Sequence, residues 1–229
     1  MKPSLASNND TQADQVFAEI PPWAFVTVQA LLGSLKARDL YTHGHCMRVG
    51  QLARLLAQAA GLDPFQQTIV EFSSMFHDLG KIAIPDCVLL KEGKLTPAEE
   101  DIIRQHPIKS AELIQPLSNV PFFRFLLPGV RHHHERMDGL GYPDRIQGDQ
   151  IPLIARVILI ADTFDAMTTN RPYRRALPVE TAYKELIQFS GRQFDRQLVD
   201  VFLHGHPLWT LETELDTTER IAAHLRKVA

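Results

Sequence analysis

One stretch constrains this chain more than any other. Between residues 151 and 167 the sequence is apolar nearly all round, through Leu153, Ile154, Val157, Ile158, Leu159 and Ile160. A helix without a polar face belongs at the centre of a protein, enclosed by other elements. Two carboxylates, Asp162 and Asp165, nevertheless sit inside it. A charged group carried into such surroundings requires a cation or a network of donors. The rest of the chain must therefore supply a covering of amphipathic helices and partners for those carboxylates.

The covering is legible as periodicity. Phe25, Val28, Leu31, Leu32 and Leu35 recur at helical spacing. Thr42 or His43 can open a second helix, with His45, Val49, Leu52, Leu56 and Ala59 inward and Gly61 closing it. Asp63-Pro64-Phe65-Gln66 is a capping box with Pro at the first helical position. Ile69, Phe72, Phe76 and Leu79 then mark a buried side, and Gly80 a stop, which puts His77 and Asp78 in the last turn. Ile82-Ala83-Ile84-Pro85 reads as a short extended connector. Thr96-Pro97-Ala98-Glu99 opens a helix running to His106, where Pro107 forces a kink or a break. Residues 121–127 form a core segment stopped by Pro128-Gly129, and residues 138–143 a tight loop. Residues 179–190 and a helix capped by Asp195, carrying Leu198, Val199 and Phe202, complete the set. Strand patterns are absent, so the expected fold class is all-α.

The 229 residues suit one domain, spanning 23–206. A loosely attached polar segment, 1–22, precedes it, and 207–229 is an amphipathic helical segment fit for docking or oligomerisation, a homodimer included. A net charge of −3 gives no overall pull towards nucleic acid or anionic membrane, so any anion must be bound locally. Cys46 and Cys87 are too few for a disulfide framework. There is no apolar signal core and no stretch approaching 18 apolar residues. The expectation is a soluble, cytoplasmic protein. The first 25 or so residues are too few for a receiver, sensor or membrane module, so regulation is expected from elsewhere or from a longer chain.

Ten histidines are more than average composition supplies. His45, on an apolar face, reads alone as a buried structural histidine. His77-Asp78 is followed by Lys81, and either a metal or that lysine could satisfy the aspartate. His132-His133-His134 is internal; at about 100° per residue two of the three can converge while the third points away. Arg171, Arg174 and Arg175 form either a solvated face or a bidentate phosphate clamp. Collecting the inward-facing ligand types gives His45, His77, Asp78, His106, His133, His134 and Asp162. Five imidazoles and two carboxylates exceed the needs of one ion; they suit two first-row ions bridged by a carboxylate, with iron or manganese the best fit and zinc the alternative. Such a pair, about 3.5–4 Å apart, serves displacement at phosphorus, and Lys81, Arg171 and Arg174 would complete a site for a phosphodiester. Spacing alone does not identify the substrate.

Residues 29–205 resemble the HD-GYP domains, a subgroup of the HD metal-dependent phosphohydrolases. The resemblance is carried by Arg38-Asp39, Gly44-His45, His77-Asp78-Leu79-Gly80-Lys81-Ile82, His106-Pro107, His133-His134-Glu135-Arg136, Gly141-Tyr142-Pro143, Ala161-Asp162, Asp165-Ala166 and Arg171-Pro172-Tyr173-Arg174. It implies an HD-type helical bundle with a buried binuclear metal site, hydrolysing cyclic di-GMP to pGpG, in some members on to GMP, by attack of a metal-bridged hydroxide on phosphorus. One ion would take His45, His77, Asp78 and Asp162; the other would share Asp78 and add His106, His133 and His134. Lys81 would meet the scissile phosphate, Arg171 and Arg174 the nucleotide, and Tyr142 the pocket rim. The Gly141-Tyr142-Pro143 loop would be open to diguanylate cyclase (GGDEF) domains. Some members hold a third ion through a Glu four residues before the first ligand; Tyr41 stands there, so two ions are expected. Ser110 occupies a position where Gly is common. The alternative function is a weakly catalytic cyclic di-GMP sensor or adaptor, and the alternative substrate a hybrid cyclic dinucleotide or a mononucleotide.

Overall fold

The computed structural model describes residues 21–170 and 175–212. The polar N-terminal segment up to residue 20, Arg171, Arg174 and the C-terminal amphipathic segment from residue 213 lie outside the described residues. Among those described there is no strand, in line with the sequence reading. The helices are α1 (Pro22–Arg38), α2 (Leu40–Ala59), α3 (Pro64–Phe76), α4 (Asp86–Leu89), α5 (Pro97–Ile103), α6 (His106–Ile114), α7 (Pro121–His132), α8 (Leu153–Thr168), α9 (Val179–Gln188) and α10 (Arg196–Gly205). None is long and apolar enough to cross a membrane.

The apolar run becomes α8, and Val157, Ile158, Ile160 and Ala161 are fully enclosed. It packs against α2, α3, α7, α9 and α10. Two apolar clusters result. One joins α1, α3, α6 and α7 around Phe72, Phe76, Phe122 and Phe123. The other joins α2, α8, α9 and α10 around Leu52, Phe164, Leu198 and Phe202. Ile154 touches both clusters, so the molecule has one continuous interior.

The helix starts follow their capping signals. Asp63 accepts from Gln66 N at 2.8 Å while Gln66 Oε1 accepts from Asp63 N at 3.2 Å. Thr96 and Glu99 pair in the same way, and Asp195 caps α10. Each cap contributes about 1 kcal/mol.

Several expectations are corrected. The second helix opens at Leu40 because Asp39, not Thr42 or His43, is the cap, accepting from Tyr41 N. Its last turn turns outward, so Ala59 is exposed while Cys46, Ala53 and Ala57 are buried. Helix α3 ends at Phe76, leaving His77 and Asp78 just beyond it, and the chain continues as a 3-10 turn, Leu79–Ala83, where an extended connector was expected. The helix after Thr96 ends at Ile103, short of His106, and of the kink or break expected at Pro107 the structure shows the break, with Pro107 in the first turn of α6. Pro128-Gly129 does not stop α7, which runs on to His132. Pro128 lies on the exposed side, where the lost amide is cheapest. Gly129 lets α7 close on its neighbours: a Cβ there would meet Ile154 Cγ2 at 2.6 Å and Ser73 Cβ at 2.9 Å.

Gly80 is a contact point, not a helix stop. A Cβ on it would lie 2.2 Å from His106 O and 2.5 Å from Ser110 N, both backbone atoms of α6. Ser110 Oγ completes the junction, donating to His77 O and accepting from Gly80 N, each at 2.7 Å. Gly80→Ala is therefore expected to push the turn off α6 and cost about 3 kcal/mol, read as a lower midpoint in urea denaturation.

Candidate metal centre

The seven ligand types expected from the sequence converge, and helix ends supply most of them. His45 lies in the second turn of α2 and Asp162 in α8. His77 and Asp78 follow α3, His106 opens α6, and His133 and His134 follow α7. The donor atoms of His45, His77 and Asp162 lie within 4.8 Å of one another, as do those of His106, His133 and His134. Asp78 stands between the two trios. Its Oδ1 is 3.2 Å from His106 Nε2, and its Oδ2 is 3.4 Å from His77 Nε2 and 3.8 Å from His45 Nε2. His132 points away, as expected of one member of the run, and pairs with Asp144 at 2.9 Å.

Three of the five imidazoles are anchored alike through Nδ1. His77 bonds to Ser74 O (2.5 Å), His106 to Ile103 O (2.8 Å) and His133 to Val130 O (2.8 Å). Carbonyls only accept, so each of these rings carries its proton on Nδ1 and turns the Nε2 lone pair inward. His45 Nδ1 instead meets Asp165 Oδ2 at 2.7 Å. Arg48 grips that carboxylate at 2.7 and 2.9 Å, and Thr169 Oγ1 adds a bond at 3.2 Å.

The fit to cations rests on two details. His106 Nε2 and His133 Nε2 face each other at 3.2 Å, although both nitrogens are lone-pair acceptors. Two nitrogens bound to one ion at about 2.1 Å, with an angle between 90° and 110°, are about 3.0–3.4 Å apart. His77 Nε2 is buried with no hydrogen-bond partner among the described residues. Both features are costly in an empty protein core and natural around a metal.

Electrostatics point the same way. Burial, outweighing the opposite pull of Asp78, lowers His106 to about 3. Burial likewise lowers His134 to about 4 and His133 well below its usual range, so this trio is neutral and ligand-ready at neutral pH. Burial would also lower His45, but hydrogen bonds to Asp162 and Asp165 outweigh it and raise the ring to about 9. A cation at His45 Nε2 thus takes the place of a proton. Burial works to raise Asp78, while Lys81 and the imidazoles hold it well below the carboxylate range; Asp162 is held down by His45 against the same burial. Cys46 is close to His77, but at its Nδ1 side (3.9 Å), and burial pushes the thiol well up, so it is a packing residue.

A cavity of about 430 Å³ opens on this cluster, lined among others by Tyr41, His45, Asp78, Lys81, His106, His134, Tyr142, Asp162 and Thr163. Lys81 Nζ lies 2.6 Å from Asp78 Oδ2, so both partners considered for that carboxylate, the lysine and a cation-ready cluster, are present at once. Tyr142 stacks on His134 (centroids 4.7 Å apart, 28°), and its amide donates to His134 O at 3.2 Å. Glu135 Oε1 holds the outgoing loop through the amides of Asp144 and Arg145.

Sequence reasoning noticed Asp165 and Ser110 without giving either a task, and it passed over Arg48. The available signal was spacing: Asp165 is one turn beyond Asp162, and Arg48 one turn beyond His45. Tyr41 does line the cavity at the position where some HD-GYP members carry a ligand Glu.

A helical bundle with a buried histidine–aspartate centre at its helix ends is the class that fold and site define together. The profile described as HD domain matches residues 27–198. A cyclic di-GMP phosphodiesterase of Thermotoga maritima is 36% identical over 191 residues, which make up 83% of this chain and 52% of that protein. The cyclic di-GMP phosphodiesterase response regulator RpfG of Xanthomonas campestris is 41% identical over 182 residues, 78% of this chain and 47% of its own. The solved structure of a cyclic GMP-AMP specific phosphodiesterase of Vibrio cholerae, V-cGAP3, superposes with a TM-score of 0.58 at 18% identity, covering 92% of this chain and 53% of that one. The chain belongs to the HD domain family, in its HD-GYP branch. It spans about half the length of the curated relatives it matches.

The Asp165 anchor is open to a direct check. Asp165→Asn keeps the shape but weakens the hold on His45, and divalent-metal affinity in calorimetry is expected to fall about 10- to 100-fold.

Proposed function

We propose that this chain hydrolyses cyclic di-GMP to pGpG, and on to GMP where the linear product is retained, using two transition-metal ions. Iron or manganese suits the mixed nitrogen and oxygen donors best, with zinc the alternative. The observation that carries the reading is Asp78, with one oxygen towards each trio of ligand atoms on the wall of a 430 Å³ cavity. The names of the relatives from Thermotoga and Xanthomonas support the substrate.

In this reading His45, His77 and Asp162 hold one ion, His106, His133 and His134 the other, and Asp78 both. When bound, the ions polarise the phosphoryl oxygens and generate a nucleophile from water at neutral pH. The chain supplies the rest. Asp165 and the three carbonyls fix the tautomers and orientation of four of the five imidazoles. Lys81, kept charged by Asp78, meets the phosphate or the departing oxygen. Tyr142, braced on His134, gives a nucleobase or ribose a flat wall at the rim. Arg171 and Arg174, as the resemblance implies, would hold the nucleotide. Leu140, three-quarters exposed in the same loop, offers a foothold for a diguanylate cyclase domain or for a second copy of the chain.

Protein reconstituted with Mn²⁺ or Fe²⁺ is expected to release pGpG from cyclic di-GMP. Tight binding without product under every metal would turn the reading towards a sensor or adaptor, and faster turnover of cyclic GMP-AMP would reassign the substrate. Asp78→Ala is expected to lose both ions in elemental analysis; two retained ions per chain would end the bridging assignment. Lys81→Ala is expected to keep its metal and lose about 100-fold in kcat. Arg171→Ala is expected to keep its metal and bind the nucleotide more weakly.

A further inference from the structure

We infer that the Tyr41 hydroxyl contacts the substrate, donating a hydrogen bond to a non-bridging oxygen of the phosphodiester at the His45 side of the cavity. The inference rests on the phosphodiesterase reading above. Tyr41 lies one helical turn before His45 on α2, and the two rings are parallel (4°) with centroids 6.4 Å apart. Its side chain lines the cavity, yet its hydroxyl is buried and has no hydrogen-bond partner among the described residues.

An orphaned hydroxyl in such a place calls for an explanation, because a buried donor without an acceptor destabilises the fold. Phenylalanine would stack on His45 as well and carry no such cost. The neighbouring polar groups have partners within the protein. Lys81 is paired with Asp78, and Asp162 Oδ1 lies 3.0 Å from His45 Nε2. Among the described residues His77 Nε2, a ligand-type atom of the same cluster, is another buried polar atom without a hydrogen bond. The hydroxyl therefore keeps its hydrogen bond for what enters the cavity.

Charge and position narrow the acceptor. Asp78 and Asp162 make this wall anionic, so an incoming phosphodiester meets repulsion unless donors and cations offset it. A phenol donates without adding negative charge. Its place beside His45 puts it at the phosphate end of the site, whereas a base or ribose is served by the Tyr142 rim. A donor aimed at a phosphoryl oxygen strengthens as charge gathers there, so its effect belongs mainly to kcat.

The test is Tyr41→Phe in the full chain, reconstituted with Mn²⁺. Metal content is expected to match the parent, and the thermal midpoint to be equal or higher, since only an unpaired hydroxyl is removed. With cyclic di-GMP, kcat/KM is expected to fall about tenfold, mostly through kcat, and inorganic phosphate to bind more weakly in calorimetry. Kinetics within twofold of the parent with unchanged phosphate binding would overturn the inference. So would activity lost in step with metal, or a lowered thermal midpoint, either of which makes Tyr41 structural. If the parent leaves cyclic di-GMP intact, the substrate reading fails on its own. The Tyr41 assignment then stands or falls on the same ratios with bis(4-nitrophenyl) phosphate and on phosphate binding.

Discussion

Carboxylates in the interior are the constraint to which the rest of this structure answers. Asp78 and Asp165 are 2% and 3% exposed, and Asp162 faces the same cavity. Ionised groups at such depth are tolerated only when positive charge or donors surround them. The protein meets the demand in two ways. Arg48, Thr169 and His45 satisfy Asp165 completely. Asp78 and Asp162 are satisfied in part, by Lys81 and His45, and otherwise face imidazole nitrogens that carry lone pairs. The first arrangement is a support; the second is a receptacle.

Helix ends explain why the receptacle can be rigid. The last carbonyls of a helix lack amide partners, and a ring placed just past the end can take one of them. His77, His106 and His133 each bond a carbonyl three residues earlier. Each ligand is thus oriented by its own local backbone, and packing has only to bring the ends together. Gly80 and Ser110 perform that last step between the α3 end and α6.

Much of this was legible in the sequence. Capping boxes at Asp63 and Thr96 located helix starts because their chemistry is local. The apolar run containing Asp162 announced the central helix, and the three adjacent histidines announced a cluster, because geometry allows only some of them to face one way. Other features depended on what lies across the interface. Pro128-Gly129 looks like a stop, yet the glycine serves the approach of α7 to Ser73 and Ile154. Gly80 looks like a helix terminator, and only the proximity of α6 gives it its role. Asp165 and Arg48 form one unit, but their pairing joins α8 to α2, and spacing within each segment marks only its own residue, not the partner across the interface.

That pairing has a temporal side. His45 and Asp165 are 120 positions apart, and Arg48 and Asp165 are 117 apart. Contacts of such separation wait for long loops to close and form late in folding. During synthesis α2 and α3 leave the ribosome well before α8 exists, so His45, His77 and Asp78 first appear without the helix that completes them. The pocket cannot form on a partial chain. Its assembly marks the moment when the two halves of the domain have met.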